Sequence, residues 1–158
     1  QIQNLLNLIK NDPNSRRMLI TLWNPYTTHK AALPSCLFLY QFYVNQEDNT
    51  LNAQIYLRSS DYFLAKNWNV CTGALLIHMI CNLKDIHLNP GKLIVITGDT
   101  HIYKTHIDAV KENLLREPRP FPKLVLSEEK DNLTDYTYSD IRLIDYTPYK
   151  SIPVEMAV

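Results

Sequence analysis

Cys36 stands between Pro34-Ser35 and the apolar run Leu37–Val44. A thiol in that setting is either a buried core group, the commoner fate of a free cysteine, or a nucleophile held at the mouth of a strand. Two arginine sites accompany it, Arg16-Arg17 and Arg58-Ser59. Guanidinium forks beside a hydroxyl match the oxygens of a phosphate dianion, although such groups are also ordinary solvated strand ends. Asn69 opens an otherwise apolar stretch. A carboxamide there either caps a turn or offers a donor and an acceptor side by side to a heterocyclic amide edge. His101 and Tyr103, flanking Ile102, are structural hydrogen bonders or ligands for a sugar hydroxyl. Cys71 and Cys81 fall inside the apolar run and read as core thiols.

Other chemistries find no support. There is no CxxC or HExxH spacing, and His101 and His106 do not share a helix face, so no metal site is expected. Walker A, GxGxxG and GxSxG motifs are absent, and Pro90-Gly91-Lys92 reads only as a turn. The formal net charge is +0, with 46% hydrophobic and 20% charged residues, which points away from nucleic acid and anionic membranes. No run approaches a membrane span. Three cysteines are an odd, sparse set, expected in a reducing, cytoplasmic setting rather than in a disulfide framework.

The elements that must position these groups follow from periodicity. Residues 1–11 form an amphipathic helix stopped at Asn11-Asp12-Pro13. Residues 16–23 read as a strand with a basic start, 24–34 as loop, 36–44 as an aromatic strand and 45–50 as a turn. In the next strand Leu51, Ala53, Ile55 and Leu57 point one way, and Asn52, Gln54, Tyr56 and Arg58 the other. Residues 69–83 predict a helix buried nearly all round, and 93–96 a short buried strand. Gly98–Tyr103 is expected to open a helix reaching about residue 116, capped by Asp99 or Thr100, with Tyr103, Ile107, Val110 and Leu114 on one face. Rigid loop follows over 116–123, then strands near 123–127 and 140–145 and an apolar ending. The expected fold is a single α+β domain over 1–158, with a mixed, mostly antiparallel sheet backed by helices. Gln1 falls inside a helical pattern and the first methionine is Met18, so the chain is expected to be a piece of something longer.

Taken in order, "NDPNSRRMLITLWNP", "ALPSC…QFYV", "YLRSSD", "NWNV", "GDTHIY", "REPRPFPKL" and the terminal "MAV" resemble the C-terminal part of thymidylate synthase, over essentially the whole chain. The resemblance implies a homodimer formed by sheets packing back to back. It implies conversion of deoxyuridine monophosphate (dUMP) to thymidine monophosphate (dTMP), with 5,10-methylenetetrahydrofolate as carbon and hydride donor and no metal. Cys36 would be the nucleophile at pyrimidine C6. Arg58 and Ser59 would bind the 5′-phosphate, and Arg16 and Arg17 would reach the phosphate of the neighbouring subunit's site. Asn69 would read the uracil edge, and His101 and Tyr103 the deoxyribose 3′-hydroxyl. Asp61 would lie at the pterin and its water network, Leu64 against the folate's aromatic portion, and Ala157-Val158 would close over the site.

The sequence also departs from the family pattern. Leu37 follows the nucleophile where many members have His, and Leu57 precedes Arg58 where Gln is common. Ala65-Lys66-Asn67-Trp68 replaces a glycine-leucine-proline-phenylalanine run, and Gly73 a common Tyr. The family's N-terminal part, with a further phosphate-binding Arg and a proton-managing Glu, has no counterpart here. A deoxynucleotide hydroxymethylase on the same scaffold, or a non-catalytic fragment, are the alternative readings. Related deoxycytidylate hydroxymethylases carry Asp where Asn69 stands, so Asn69 favours uracil.

Overall fold

The computed structural model describes residues 1–156; Ala157 and Val158, which the resemblance placed over the site, lie outside the described residues. In chain order the elements are α1 (Ile2–Asn11), β1 (Leu19–Thr21), β2 (Leu37–Asn45), β3 (Thr50–Asp61), α2 (Lys66–Cys81), β4 (Asn89–His101), α3 (Ile107–Leu114), β5 (Lys123–Leu126) and β6 (Ile141–Ile144). The main sheet has the order β1-β2-β3-β4. Its first two pairings are antiparallel, and β3 pairs with β4 in parallel through the α2 crossover. β5 and β6 form a separate antiparallel pair. The α+β class and the mixed sheet expected from the sequence are met.

The period-2 pattern of β3 decides where the core sits. Leu51, Ala53, Ile55 and Leu57 are at most 3% exposed, and they join Tyr40, Phe42 and Val44 of β2. Leu5, Leu6 and Ile9 of α1 and Ile77 and Ile80 of α2 pack into the same core. Gly73 lets α2 approach the sheet closely, since a Cβ there would lie 3.2 Å from a Leu93 methyl. The Gln1 carboxamide ties α1 to the edge strand by accepting from the Thr21 N–H (2.8 Å) and donating to the Thr21 carbonyl (3.0 Å). The second sheet docks on the end of α2, where the Asn82 side chain donates to the Tyr136 hydroxyl (2.8 Å).

Several elements differ from their expected form. The 16–23 strand shrinks to Leu19–Thr21, because only those residues find partners on β2. α2 starts three residues early, at Lys66. It is not buried all round: Cys71 is exposed, so it is no core thiol. β4 is far longer than 93–96 and absorbs Pro90-Gly91-Lys92, while Ile94 and Ile96 remain 54% and 40% exposed on the face away from the helices. Gly98–His101 is strand, not helix start, because it pairs with β3 as far as Asp61↔His101. Asp99 and Thr100 therefore cap nothing; they bond to His101 and Thr97. Tyr103 precedes the helix, and Ile107 and Leu114 are exposed rather than packed.

Candidate active site

The start of β2 and the ends of β3 and β4 meet at one end of the sheet. The Arg58 N–H donates to the Cys36 carbonyl (2.8 Å), Ser59 sits opposite Asp99, and Asp61 sits opposite His101. Leaving β3, the chain turns because Asp61 Oδ1 accepts from the Phe63 and Leu64 N–H groups (3.2 and 3.1 Å). That Asx turn launches α2 at Lys66 and puts Asn69 in its first turn, above the same sheet end. Cys36, Arg58, Ser59, Asp61, Leu64, Asn69, His101 and Tyr103 thus share one end of the fold.

Cys36 is half-buried and stands immediately before β2, which starts one residue later than the expected strand 36–44, rather than sitting in the core. The carbonyls before it are gripped. Arg58 donates from Nη2 to Pro34 (2.7 Å) and from Nε to Ser35 (3.1 Å), and the Trp23 indole N–H also donates to Ser35 (2.9 Å). The guanidinium lies 5.7 Å from the Trp23 ring centroid, within cation–π range. Arg58 therefore immobilises the segment bearing the thiol and sets its positive charge on the Pro34 and Ser35 carbonyls, and its Nη1, without a hydrogen-bond partner among the described residues, can meet an anion. Trp23 was not among the residues singled out from sequence; the signal was an indole N–H, which needs an acceptor wherever it is buried, directly before the Asn24-Pro25 turn. Gly98 was also missed. A Cβ there would lie 2.7 Å from the Arg58 carbonyl, so glycine is what lets β4 run against Arg58.

Asn69 is half-buried and donates from Nδ2 to the Ala65 carbonyl (3.3 Å). His101 Nδ1 lies 3.0 Å from Asp99 Oδ1, and the His101 and Tyr103 rings meet edge-on at 4.9 Å. Arg16 and Arg17 are exposed and are not brought to this group. The Met18 carbonyl accepts from Phe42 N–H, and Phe42 is about 20 Å along β2 from Cys36.

Leu37 and Leu57, both departures from the family pattern, are direct cross-strand partners and are 6% and 0% exposed. One buried pair accounts for both changes. Cys81 is partly buried against the core, and burial pushes its thiol up to about 12, partly offset by a hydrogen bond with the Leu51 backbone. His78, also in α2, is held below its ordinary range by burial. A cavity of about 910 Å³ opens beside Leu64, lined also by Phe63, Ile102 and the loop Arg116–Pro122. Neither Cys36 nor Arg58 lines it. Among the described residues no cluster of His, Cys, Asp and Glu is arranged to hold a metal ion, and no helix is long and apolar enough to cross a membrane.

The fold and the site define an α+β protein that presents a half-buried thiol, a guanidinium and a set of hydrogen-bonding side chains at one end of a mixed sheet. A family model, thymidylate synthase, matches residues 1–158, and the chain belongs to that family. It is 46% identical over its full length to a bifunctional dihydrofolate reductase-thymidylate synthase of Leishmania amazonensis, covering 30% of that protein. It is 42% identical to a thymidylate synthase of Listeria monocytogenes and 41% identical to one of Human herpesvirus 8, covering 49% and 46% of them. The chain thus spans about half or less of the length of these relatives.

Proposed function

We propose that the protein converts dUMP to dTMP with 5,10-methylenetetrahydrofolate, using Cys36 as nucleophile. The observation that carries this reading is the Arg58 clamp, which holds the Pro34 and Ser35 carbonyls and so presets the thiol that follows them. Cys36 Sγ adds to pyrimidine C6; its electron pair becomes the S–C6 bond, and the C5–C6 π pair moves toward C5 and O4. C5, a poor nucleophile in the free ring, then becomes carbanion-like. When bound, methylenetetrahydrofolate supplies the one-carbon unit and the hydride and leaves as dihydrofolate. Loss of the C5 proton and departure of Cys36 with the S–C6 pair restore the ring double bond.

The other residues have positioning work. Arg58 and Ser59 bind the 5′-phosphate, Asn69 matches N3–H and O4 of uracil, and His101 and Tyr103 hold the 3′-hydroxyl. Leu64 packs on the folate's aromatic portion; its place on the wall of a cavity of ligand size fits that part, with Asp61 leading into the same turn. A second copy completes the assembly. The sheet face away from the helices exposes Leu19, Tyr43, Tyr56, Ile94 and Ile96, an apolar surface suited to a homodimer. The distance of Arg16 and Arg17 from Cys36 suits a role at the neighbouring subunit's phosphate.

The test is turnover of dUMP and methylenetetrahydrofolate by the full-length protein, followed as dihydrofolate absorbance. Cys36→Ser is expected to lose at least about a thousandfold in kcat with its melting temperature preserved. Wild-type-like turnover in that variant would remove Cys36 from the mechanism. Formation of a hydroxymethylated product without dihydrofolate would favour the hydroxymethylase instead.

A further inference from the structure

Residues 146–156 run without a strand partner and are mostly exposed, so their backbone carbonyls are open to water and to side-chain donors. Side chains around α3 supply them. Arg119 Nη1 donates to the Thr147 and Pro148 carbonyls (2.7 and 3.2 Å), and Arg116 Nη1 to that of Lys150 (2.7 Å). His106 Nε2 meets the Glu155 carbonyl at 2.8 Å. Only His106 of these donors is buried, at 1% exposure. A carbonyl can only accept, so the ring hydrogen sits on Nε2. Nδ1 is then buried and has no hydrogen-bond partner among the described residues. Burying an imidazole with one nitrogen unsatisfied is unfavourable, and an apolar side chain would fill the space without that cost. The Glu155 contact is what the imidazole gains in return. The His106 ring lies 5.6 Å from Tyr103 and 6.0 Å from Phe63, and Tyr103 lies 4.9 Å from His101.

We propose that His106 is a positioning residue that ties the 151–156 segment to the edge-on aromatic cluster carrying Tyr103, so that a nucleotide held by Tyr103 also steadies that segment. The link to the nucleotide rests on the assignment of Tyr103 to the deoxyribose; the tether itself does not. In this role His106 acts on the nucleotide through Tyr103 and on the segment through the Glu155 carbonyl.

Backbone 15N order parameters of the 151–156 segment in the full-length protein, with and without dUMP, test both parts. Without ligand, His106→Leu is expected to lower them from about 0.8 to about 0.6 or less, the loss of the bond at Glu155. His106→Asn, too short to reach Glu155, is expected to behave like His106→Leu. His106→Gln, whose carboxamide can donate where Nε2 did, is expected to restore the wild-type values. Phe63→Leu, which loosens packing alone, is expected to leave them at the wild-type values. Adding dUMP is expected to raise them further in wild type and His106→Gln only. Equal order parameters across the four His106 proteins overturn the tether. Equal rises on adding dUMP in wild type and His106→Asn overturn the coupling. If wild type does not bind dUMP, the nucleotide reading fails while the ligand-free comparison still decides the tether.

Discussion

At the scale of single residues, Leu37 and Leu57 form the most specific departure from the family pattern. They face each other across β2 and β3 at the point where the thiol emerges. A polar pair in that position must satisfy itself in the core; two leucines need no partner. Leu37→His alone is expected to destabilise the fold by about 2 kcal/mol, because it buries an unpaired imidazole. Adding Leu57→Gln is expected to recover about 1 kcal/mol of that loss. Urea unfolding of the singles and the double checks this, and strictly additive changes would mean the two positions are independent. Sequence alone exposed each departure but not their pairing, which depends on a register set by the β2–β3 hairpin and the irregularity between Leu37 and Leu39. The same limit applies to Arg58. Its residue type was readable as an anion ligand, whereas its grip on Pro34 and Ser35 arises from a contact between distant segments.

At the scale of elements, local pattern was informative where one periodicity dominated. The alternation of β3 named its buried face correctly because only one face of that strand meets helices. Gly98–His101 misled because Asp and Thr suit a helix cap and a strand end equally, and its partner, Ser59–Asp61, is far away in sequence. Cys71 misled because tertiary packing chooses which sides of an apolar helix are covered. The connection between β5 and β6 shows an element held by polar contacts. Asp140 accepts from the Ser127 hydroxyl (2.7 Å) and from the Thr137 N–H and hydroxyl (2.8 and 2.7 Å), and pairs with Lys130 at 3.0 Å. These bonds, the Ser127 hydroxyl first, hold its carboxyl well below the usual carboxylate range. A depressed folded-state value stabilises the fold above the ordinary carboxylate pKa, and the gain is lost as pH falls beneath it. The melting-temperature deficit of Asp140→Asn should therefore be widest near neutrality and shrink below about pH 3.9. A deficit that does not change with pH would assign it to lost packing or geometry instead.

At the scale of the whole molecule, the two faces of the main sheet have different fates. One is sealed by α1 and α2; the other exposes Leu19, Tyr43, Tyr56, Ile94 and Ile96. Under the proposed function a second copy covers that face and brings Arg16 and Arg17 to its partner's site. Ile94→Glu combined with Ile96→Glu should shift the full-length protein from dimer to monomer in sedimentation equilibrium; a variant that stays dimeric would place the interface elsewhere. The central claim is that Cys36, preset by Arg58, adds to the pyrimidine. The most direct measurement is intact and peptide mass spectrometry of the full-length protein after incubation with 5-fluoro-dUMP and methylenetetrahydrofolate. A covalent adduct is expected on the peptide containing Cys36, and none in Cys36→Ser. No adduct in a folded, nucleotide-binding protein, or an adduct on Cys71 instead, would contradict that claim.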